Sequence, residues 1–431
     1  MKKIVTAVII SCLTAVSCCA IVDTDKISIK EAVSIASKNN LDIQSSRLNI
    51  NIEKNNIKTA NRLMNPGVGV FYNFGKAGKG NPQQVGLSQT VEIGKRGVRK
   101  SLAKSTFNLA ERNVEYLEFD LRMDVREAYT NLLASKSVLT TMQEQEELLN
   151  TMLQVAKEKY KTKEVTQIDV LQAQLLLNQI ITQVNSAKYD VKTALYEFNK
   201  VINSPDGFYD TIEDHFTDDY KPLLIPKPDA KMPDFEIISN EAITNRYDIK
   251  IALQEIEVAE KNLIVVLRQK VPDLEVSGGY SYQNPGQSGE GIFKNGAYLG
   301  VNLVNLPILY NYKPEIENAK LKLQQAHLNY ASVENKAVND LKKTYEKFLT
   351  AQINLNYYNE ELLSSSEELI KASRKSYREG KIDLTTLITM EESYRMITIA
   401  HTYALADYYN AWNAFIREVN NEEFTVSTDD V

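Results

Sequence analysis

The segment YKTKEVTQIDVLQAQ, residues 160–174, is similar to YREGKIDLTTLITME, residues 377–391. The offset that aligns Tyr160 with Tyr377 also aligns Asn203 with Asn420 further along the chain. An offset that persists over about forty residues without a gap indicates an internal duplication, and such a repeat constrains the whole fold.

Each half of the chain is predicted to contain the same parts: an N-terminal helix, two strands, a long helix, a turn and a return helix. The first repeat covers residues 21–202 and the second covers residues 236–420. The segment between them, 203–235, holds five of the eleven prolines and is predicted to be a linker or an irregular belt. Residues 421–431 form a polar tail.

Long helices are predicted over 97–160 and 314–377, and return helices over 167–202 and 384–420. Their apolar residues recur at alternating steps of three and four, which is typical of coiled-coil-like packing against neighbouring helices. Each long helix would extend roughly 95 Å at about 1.5 Å per residue. This length exceeds that of a globular domain.

Residues 1–20 are predicted to be an export signal, because a basic start precedes a short apolar run and small residues. All three cysteines, Cys12, Cys18 and Cys19, lie in this segment, so no disulfide framework is expected. The stretch AVSC loosely resembles a lipobox, which makes Cys18 a candidate lipidation site, against ordinary cleavage near Ala20. No later stretch is long and apolar enough for a membrane-spanning helix.

Four segments alternate apolar with small or polar residues: 66–75, 84–94, 272–283 and 296–306. Such alternation fits two hairpins on a soluble core, but in an exported chain it also fits outer-membrane strands, apolar outside and polar inside. Four strands cannot close a barrel, and hydrocarbon does not tolerate an open edge. Two copies would close a filled eight-stranded barrel, whereas three would leave a passage.

Catalytic and cofactor motifs are absent from the sequence. The three histidines, His215, His327 and His401, are far apart, and no HExxH, CxxC or phosphate-loop motif occurs. No enzyme, cofactor or metal site is therefore predicted. The formal charge of -6 gives no basic field, so no nucleic-acid partner is expected.

A family resemblance rests on the duplication, the strand starts NPGVGV and VPDLEVSGGYSY, the segment GLSQTVEIGKRG and the hairpin IDVLQAQ. Together they resemble the TolC family of outer-membrane efflux proteins over about residues 27–420. The resemblance implies a mainly α protein with a membrane β-barrel. It implies a homotrimer with a twelve-stranded barrel and a long periplasmic α-helical barrel, in the outer membrane of a diderm bacterium.

The resemblance also implies partners and cargo. A periplasmic membrane-fusion adaptor and an inner-membrane transporter, with the RND type favoured, would energise a passive duct in contact with outer-membrane lipids. SQTVEIGKRG is similar to the CzcC-like heavy-metal branch, which implies export of metal cations or small toxic compounds. The alternatives are an exit duct for type I peptide or protein secretion and a periplasmic coiled-coil adaptor or scaffold.

In this family the tunnel closes at the turns between long and return helices, through acidic residues and a tyrosine-centred network. The resemblance therefore implies gate candidates in both turns: Asp169, Tyr160, Tyr377, Thr386, Thr389 and Gly380. Threonines stand where some members carry acids in the second turn, which puts a double acidic ring in doubt. The alternatives are a solvated Asp169 at a helix start and tyrosines that serve only in packing.

The stretch QTVEIGKRGVRK, residues 89–100, starts a long helix with four cations, against the helix dipole. Lys95, Arg96, Arg99 and Lys100 are candidate membrane-interface anchors, compensated by lipid phosphates or by a carboxylate such as Glu92 on a neighbouring strand. The alternative is an exposed cluster. Candidate strand–helix hinges flank both helix starts: Gly94, Gly97, Pro307 and Pro314.

Overall fold

The computed structural model describes residues 25–72, 82–204, 209–217, 220, 222–223, 225–283 and 295–424. The predicted export signal and Cys18 lie outside these residues, as does most of each loop between paired strands. Among the described residues, none of the helices is both long enough and apolar enough to cross a membrane.

The first repeat contains β1 (Asp25–Ile27), α1 (Ile29–Asn39), α2 (Leu41–Ala60), β2 (Gly67–Tyr72), β3 (Pro82–Val91), α3 (Lys95–Lys161) and α4 (Gln167–Ile202). After β4 (Tyr209–Thr211), the second repeat contains α5 (Phe235–Asn245), α6 (Tyr247–Arg268), β5 (Asp273–Gln283), β6 (Gly296–Val304), α7 (Lys313–Tyr357), α8 (Ser364–Arg378) and α9 (Leu384–Val419). A six-residue π-helical segment, Tyr358–Leu363, joins α7 to α8.

The described residues of the chain form two compact units, which lie within the following ranges. One comprises Met1–Asn40, Leu121–Ala230 and Phe348–Asn413. The other comprises Leu41–Asp120, Lys231–Lys347 and Ala414–Val431. Each unit therefore draws on both repeats.

Equivalent positions of the repeats share backbone details. Asn203 and Asn420 end α4 and α9 with φ of 52° and 59°. Their side-chain amides donate to the carbonyls that end α1 and α5, at Asn39 (2.8 Å) and Asn245 (3.0 Å). The left-handed conformation suits asparagine, and the same hydrogen bond recurs in both repeats.

Three helix predictions differ from the structure. Each N-terminal helix is two helices, interrupted at Asn40 and Arg246, where the backbone is extended (ψ 117° and 133°). Helix α3 begins at Lys95, before the predicted start at Gly97. The predicted helix 314–377 is not uniform, because the π-helical segment interrupts it.

The π-helical segment shifts the packing register of the second long helix. A π turn contains an extra residue, so the buried stripe moves by one position beyond it. Leu355, before the segment, is buried, and the heptad spacing predicts Leu369 in the same stripe. Instead Ile370 is 3% exposed and Leu369 is 51% exposed.

The strands of the second unit form an antiparallel sheet in the order β2-β3-β5-β6. The register pairs Leu87 with Val68 and with Gly278, and Gly278 in turn with Leu299. Directly paired residues point to the same face. The β3–β5 pairing joins the two repeats within one sheet, with β2 and β6 at its edges.

The described residues of the proline-rich segment 203–235 belong to the first unit as far as Ala230. Its strand β4 pairs in parallel with β1. The Gln352 amide donates to the Ala230 carbonyl at 2.7 Å, and the Tyr408 hydroxyl donates to the Pro226 carbonyl at 2.5 Å. These hydrogen bonds satisfy backbone carbonyls that no helix or sheet would use.

An apolar core joins the two helical hairpins of the first unit. It comprises Leu149, Met152, Leu153 and Ala156 of α3, Ala173, Leu177, Ile180 and Val184 of α4, Ile370 of α8, and Leu384, Leu387 and Ile388 of α9. The helices on either side of the turn after α3 and of the turn after α8 therefore pack together in one core.

Candidate functional site

The four-stranded sheet has two chemically different faces. Its apolar face is open: Leu299 is 80% exposed and Val68 is 74% exposed, and further apolar side chains of β3 and β6 are exposed beside them. An exposed apolar patch of this kind on a folded protein indicates a surface that contacts a membrane or another protein. The alternation in the sequence predicted which residues lie on this face, because successive strand residues point to opposite sides.

The opposite face of the sheet carries mostly small and polar residues, together with the aromatic residues Phe71 and Tyr298. The Tyr298 ring lies across Gly86 and Gly279. A Cβ atom at Gly279 would stand 2.6 Å from Gly86 Cα and 2.9 Å from Tyr298 Cε1. Side chains do not fit at such distances, so this face requires glycine at Gly279.

At the start of α3, Lys95 contacts an acidic residue of the second repeat. Its Nζ donates to Asp273 Oδ2 at 2.8 Å, and the Asn305 amide donates to the same oxygen at 2.9 Å. The side chains of Lys95 and Asp273 are 16% and 5% exposed. Asp273 Oδ1 is buried and has no hydrogen-bond partner among the described residues.

Arg99 and Arg96 find their acceptors within the first repeat. Arg99 donates to both oxygens of Glu92 at 2.7 Å and to the Ala60 carbonyl at 3.0 Å. The hydrogen bonds to Glu92 raise the pKa of Arg99 above its ordinary value. Arg96 donates to Asn61 at 3.2 Å. Since Ala60 ends α2, these cations also lie at the negative end of that helix dipole.

The structure corrects two aspects of the predicted junction. Glu92 does accept Arg99, but it follows the strand of its own repeat, not a neighbouring strand, because Gly94 turns the chain back with φ of 68°. Gly97 lies inside the first turn of α3, where an added Cβ atom would meet no other atom within 4 Å, so it is not a hinge. Lys100 stays outside this network in the described part of the chain.

The second junction is longer than the first. Pro314 is the second residue of α7, where proline is tolerated because the backbone N–H needs no partner. Pro307 lies in the loop between β6 and α7. Asn305 and Tyr312 bound this loop with φ of 60° and 56°. The backbone path of this junction therefore depends on two residues with positive φ as well as on the prolines.

Asp169 belongs to a capping box at the start of α4. Its carboxylate accepts hydrogen bonds from the Thr166 N–H at 2.7 Å and from the Thr166 hydroxyl at 2.8 Å. The Asp169 N–H donates back to Thr166 Oγ1 at 3.4 Å. The arrangement satisfies free N–H groups of the helix start and agrees with the alternative of an acid placed there by the helix.

The second turn exchanges these two residue types. When the repeats are aligned, Asp383 corresponds to Thr166, and Thr386 corresponds to Asp169. Asp383 accepts from the Thr386 N–H at 2.8 Å, and hydrogen bonds with Thr386 lower the pKa of Asp383. Asp383 was not predicted from the sequence, because only Thr386 and Thr389 of the second turn were compared with the acidic positions of the family. The capping pattern was the signal that could have identified it.

Tyr377 is half-buried below the turns. Its hydroxyl is buried without a hydrogen-bond partner among the described residues, and Lys159 Nζ lies 4.9 Å from its ring centroid. Burial, with the negative charge of Asp169, raises the pKa of Tyr377. Tyr160 by contrast is exposed.

The remaining gate candidates serve local roles in the described structure. Thr389 donates back to the Thr385 carbonyl at 3.0 Å. Gly380 adopts φ of 71° in the turn, and Lys163 adopts φ of 64° at the matching place. The Thr385 hydroxyl donates to Gln172 at 3.0 Å and so links the two hairpins.

A buried ion pair lies between α8 and α9, which sequence reasoning also missed. Arg374 donates to both carboxylate oxygens of Glu391 at 2.6 and 2.9 Å. The Glu391 side chain is 1% exposed. Ten residues beyond Glu391 on α9, burial lowers the pKa of His401, which favours a neutral packed ring. The described residues contain no group of three or more metal-ligating side chains.

Comparison with known proteins identifies the family. The family model described as outer membrane efflux protein matches residues 32–204 and 238–421. This chain belongs to the outer membrane efflux protein family. The two matched ranges follow the two repeats, and membership confirms the TolC-family resemblance and the outer-membrane location.

The known proteins that are similar to this member of the outer membrane efflux protein family include the following three. A crystal structure of a membrane protein from Pseudomonas aeruginosa has a TM-score of 0.74 at 15% identity, covering 92% of this chain and 91% of that one. The Campylobacter jejuni CmeC outer membrane channel has a TM-score of 0.72 at 16% identity, covering 93% and 87%. The outer membrane efflux protein BepC of Brucella suis is 24% identical over 314 residues, which is 70% of this chain and 65% of BepC. The chain therefore matches less than two thirds of BepC.

Proposed function

We propose that three copies of this chain form the passive outer-membrane exit duct of a tripartite efflux system. The observation that carries the proposal is the four-stranded sheet, with an exposed apolar face, a face of mostly small and polar residues and two edges, β2 and β6. Edges must be paired in hydrocarbon, so β6 of one copy would pair with β2 of the next. Three copies supply twelve strands and an interior wide enough for passage.

The sequence contains no phosphate-loop motif that would bind a nucleotide as an energy source. A periplasmic adaptor and an inner-membrane transporter, with the RND type favoured, would therefore drive export through the duct. The segment SQTVEIGKRG supports metal cations or small toxic compounds as cargo. An adaptor would have no use for a sheet with one open apolar face, so this feature argues against the scaffold alternative.

Fractionation and conductance test the proposal. The full chain, expressed with its own export signal, is expected in the outer-membrane fraction, to need detergent for extraction, and to run as a trimer. Reconstituted into planar bilayers, it is expected to give discrete conductance steps. Recovery from the periplasm without detergent, or detergent-extracted protein with no conductance, would contradict the proposal.

The charge of Asp169 is expected to influence ion passage through the duct. Three copies of the carboxylate around one axis would attract cations and repel each other. Asp169→Asn retains an oxygen that can accept from the Thr166 N–H while it removes the charge, so it should lower the preference for cations in planar bilayers. Asp169→Ala also removes the carboxylate half of the capping box and should also raise conductance, with trimers intact.

Controls separate the gate from the cap. Loss of a whole N-cap typically costs about 1 kcal/mol, so loss of the Asp169 half of the capping box does not dissociate a large assembly. Glu158→Gln removes an exposed negative charge from α3 in the same hairpin and should leave ion preference unchanged. If Asp169→Asn and Asp169→Ala both conduct as the parent protein does, Asp169 has no part in the gate.

A further inference from the structure

The loop between β6 and α7, residues 305–312, exposes apolar side chains in succession. Leu309 is 100% exposed and Ile308 is 79% exposed, and Leu306 and Tyr310 are each about half exposed. The loop is nevertheless ordered by contacts of its own. The Tyr310 hydroxyl donates to Glu315 at 2.7 Å, and the rings of Tyr310 and Tyr312 pack with centroids 5.3 Å apart.

The loop continues the open apolar face of the sheet. Strand β6 presents Leu299, Val301 and Leu303 on that face, and the loop follows directly after Val304. The residue types then change in a definite order: aliphatic residues, two tyrosines, and an exposed lysine at Lys313 that starts α7. Aliphatic side chains suit acyl chains, tyrosines suit the interface, and lysine suits phosphate and water.

The first junction lacks this device. Only residues 92–94 separate β3 from α3, and only Ile93 among them is apolar. Since the repeats otherwise share backbone details, the longer apolar loop of the second repeat is a specific addition. A loop that merely turns the chain would not need three exposed aliphatic residues next to an apolar sheet face.

We propose that the loop 305–312 is a membrane anchor that inserts Ile308 and Leu309 among the acyl chains of the periplasmic leaflet of the outer membrane. Tyr310 and Tyr312 lie at headgroup level, and Lys313 faces the lipid phosphates. This inference rests on the proposed duct. It places the boundary between the membrane-embedded sheet and the water-exposed helices at this loop. The competing occupant is a neighbouring copy, since β6 is an edge strand.

Spin-label accessibility distinguishes lipid, protein and water around the loop. Every native cysteine lies within residues 1–20, and Cys19→Ser is included because Cys19 would stay in the chain if Cys18 were lipidated. A single cysteine elsewhere can then be labelled selectively. The variant Leu309→Cys is spin-labelled and reconstituted as the full chain into vesicles of phosphatidylethanolamine and phosphatidylglycerol. The collision rate of the label is then measured with oxygen and with a water-soluble nickel complex. Leu299→Cys on the sheet face is the lipid control, and Lys371→Cys on α8 is the water control.

A label at Leu309 with high oxygen and low nickel accessibility, as at Leu299, supports the anchor. Nickel accessibility equal to that at Lys371 overturns it, and shielding from both reagents overturns it in favour of a neighbouring copy. A water-exposed label at Leu299 would instead reject the proposed duct and the anchor with it. Should Leu309→Cys fail to assemble, Ile308→Cys carries the same test.

Discussion

Replacing Asp273 with alanine is expected to lower the free energy of unfolding by about 3–5 kcal/mol, because Lys95 would remain buried without its partner. Lys95 and Asp273 lie 2.8 Å apart and are both largely shielded from water. The Asn305 amide would also lose its acceptor. Denaturation of the detergent-solubilised protein, followed by circular dichroism, measures the effect.

Two controls identify the cause of the loss. Lys161→Ala removes a cation paired with Glu158 at the surface, with side chains 70% and 71% exposed, and should cost only about 0–1 kcal/mol. The double variant Lys95→Met with Asp273→Leu removes both charges and should be more stable than Asp273→Ala alone. If Asp273→Ala were no more harmful than Lys161→Ala, the pair would not support the junction.

Replacing Arg374 with alanine is expected to cost about 3 kcal/mol, because Glu391 would be left buried and unpaired. We expect the lower end of the range for a buried ion pair, since the Arg374 side chain is 40% exposed and water can partly replace it. The loss should be localised to the hairpin of α8 and α9. Hydrogen exchange of that hairpin, together with thermal denaturation, measures it.

The first repeat provides the matched control for this variant. Lys157 and Gln174 occupy the positions that correspond to Arg374 and Glu391, so the first hairpin contains no buried carboxylate at this place. The double variant Arg374→Lys with Glu391→Gln reproduces that pair and should recover most of the lost stability. Equal loss in the single and double variants would show that the guanidinium acts by packing and not by charge.

The strand faces could be predicted from the sequence, whereas the helix register could not. Alternation with a period of two indicates that Val68 and Leu299 lie on the apolar face of their strands, because successive side chains of any strand point to opposite faces. Ile370, and not the predicted Leu369, lies in the buried stripe because of a π turn several residues earlier. A local deviation of this kind has no signature in an apolar pattern that continues unchanged.

The candidate site divides in the same way. The family resemblance identified the turn residues. The capping pair of Thr166 and Asp169, which lies within a single helical turn, follows a local pattern that the sequence could have indicated. Glu92 was predicted as a partner for a cation, although on a neighbouring strand. Asp273, by contrast, lies 178 residues from Lys95, and no local pattern links a strand start to a distant helix start.

The sequence by itself determined the duplication, the order of helices and strands, the apolar face of the sheet and the family. These features depend on periodicity and on separation along the chain, which are properties of the sequence. Only the tertiary structure decided which groups compensate the cations at the start of α3. Lys95 and Arg99 are stabilised because folding brings Asp273, Glu92 and the end of α2 to one junction, and a pairing over such separations is set by the packing of the whole unit.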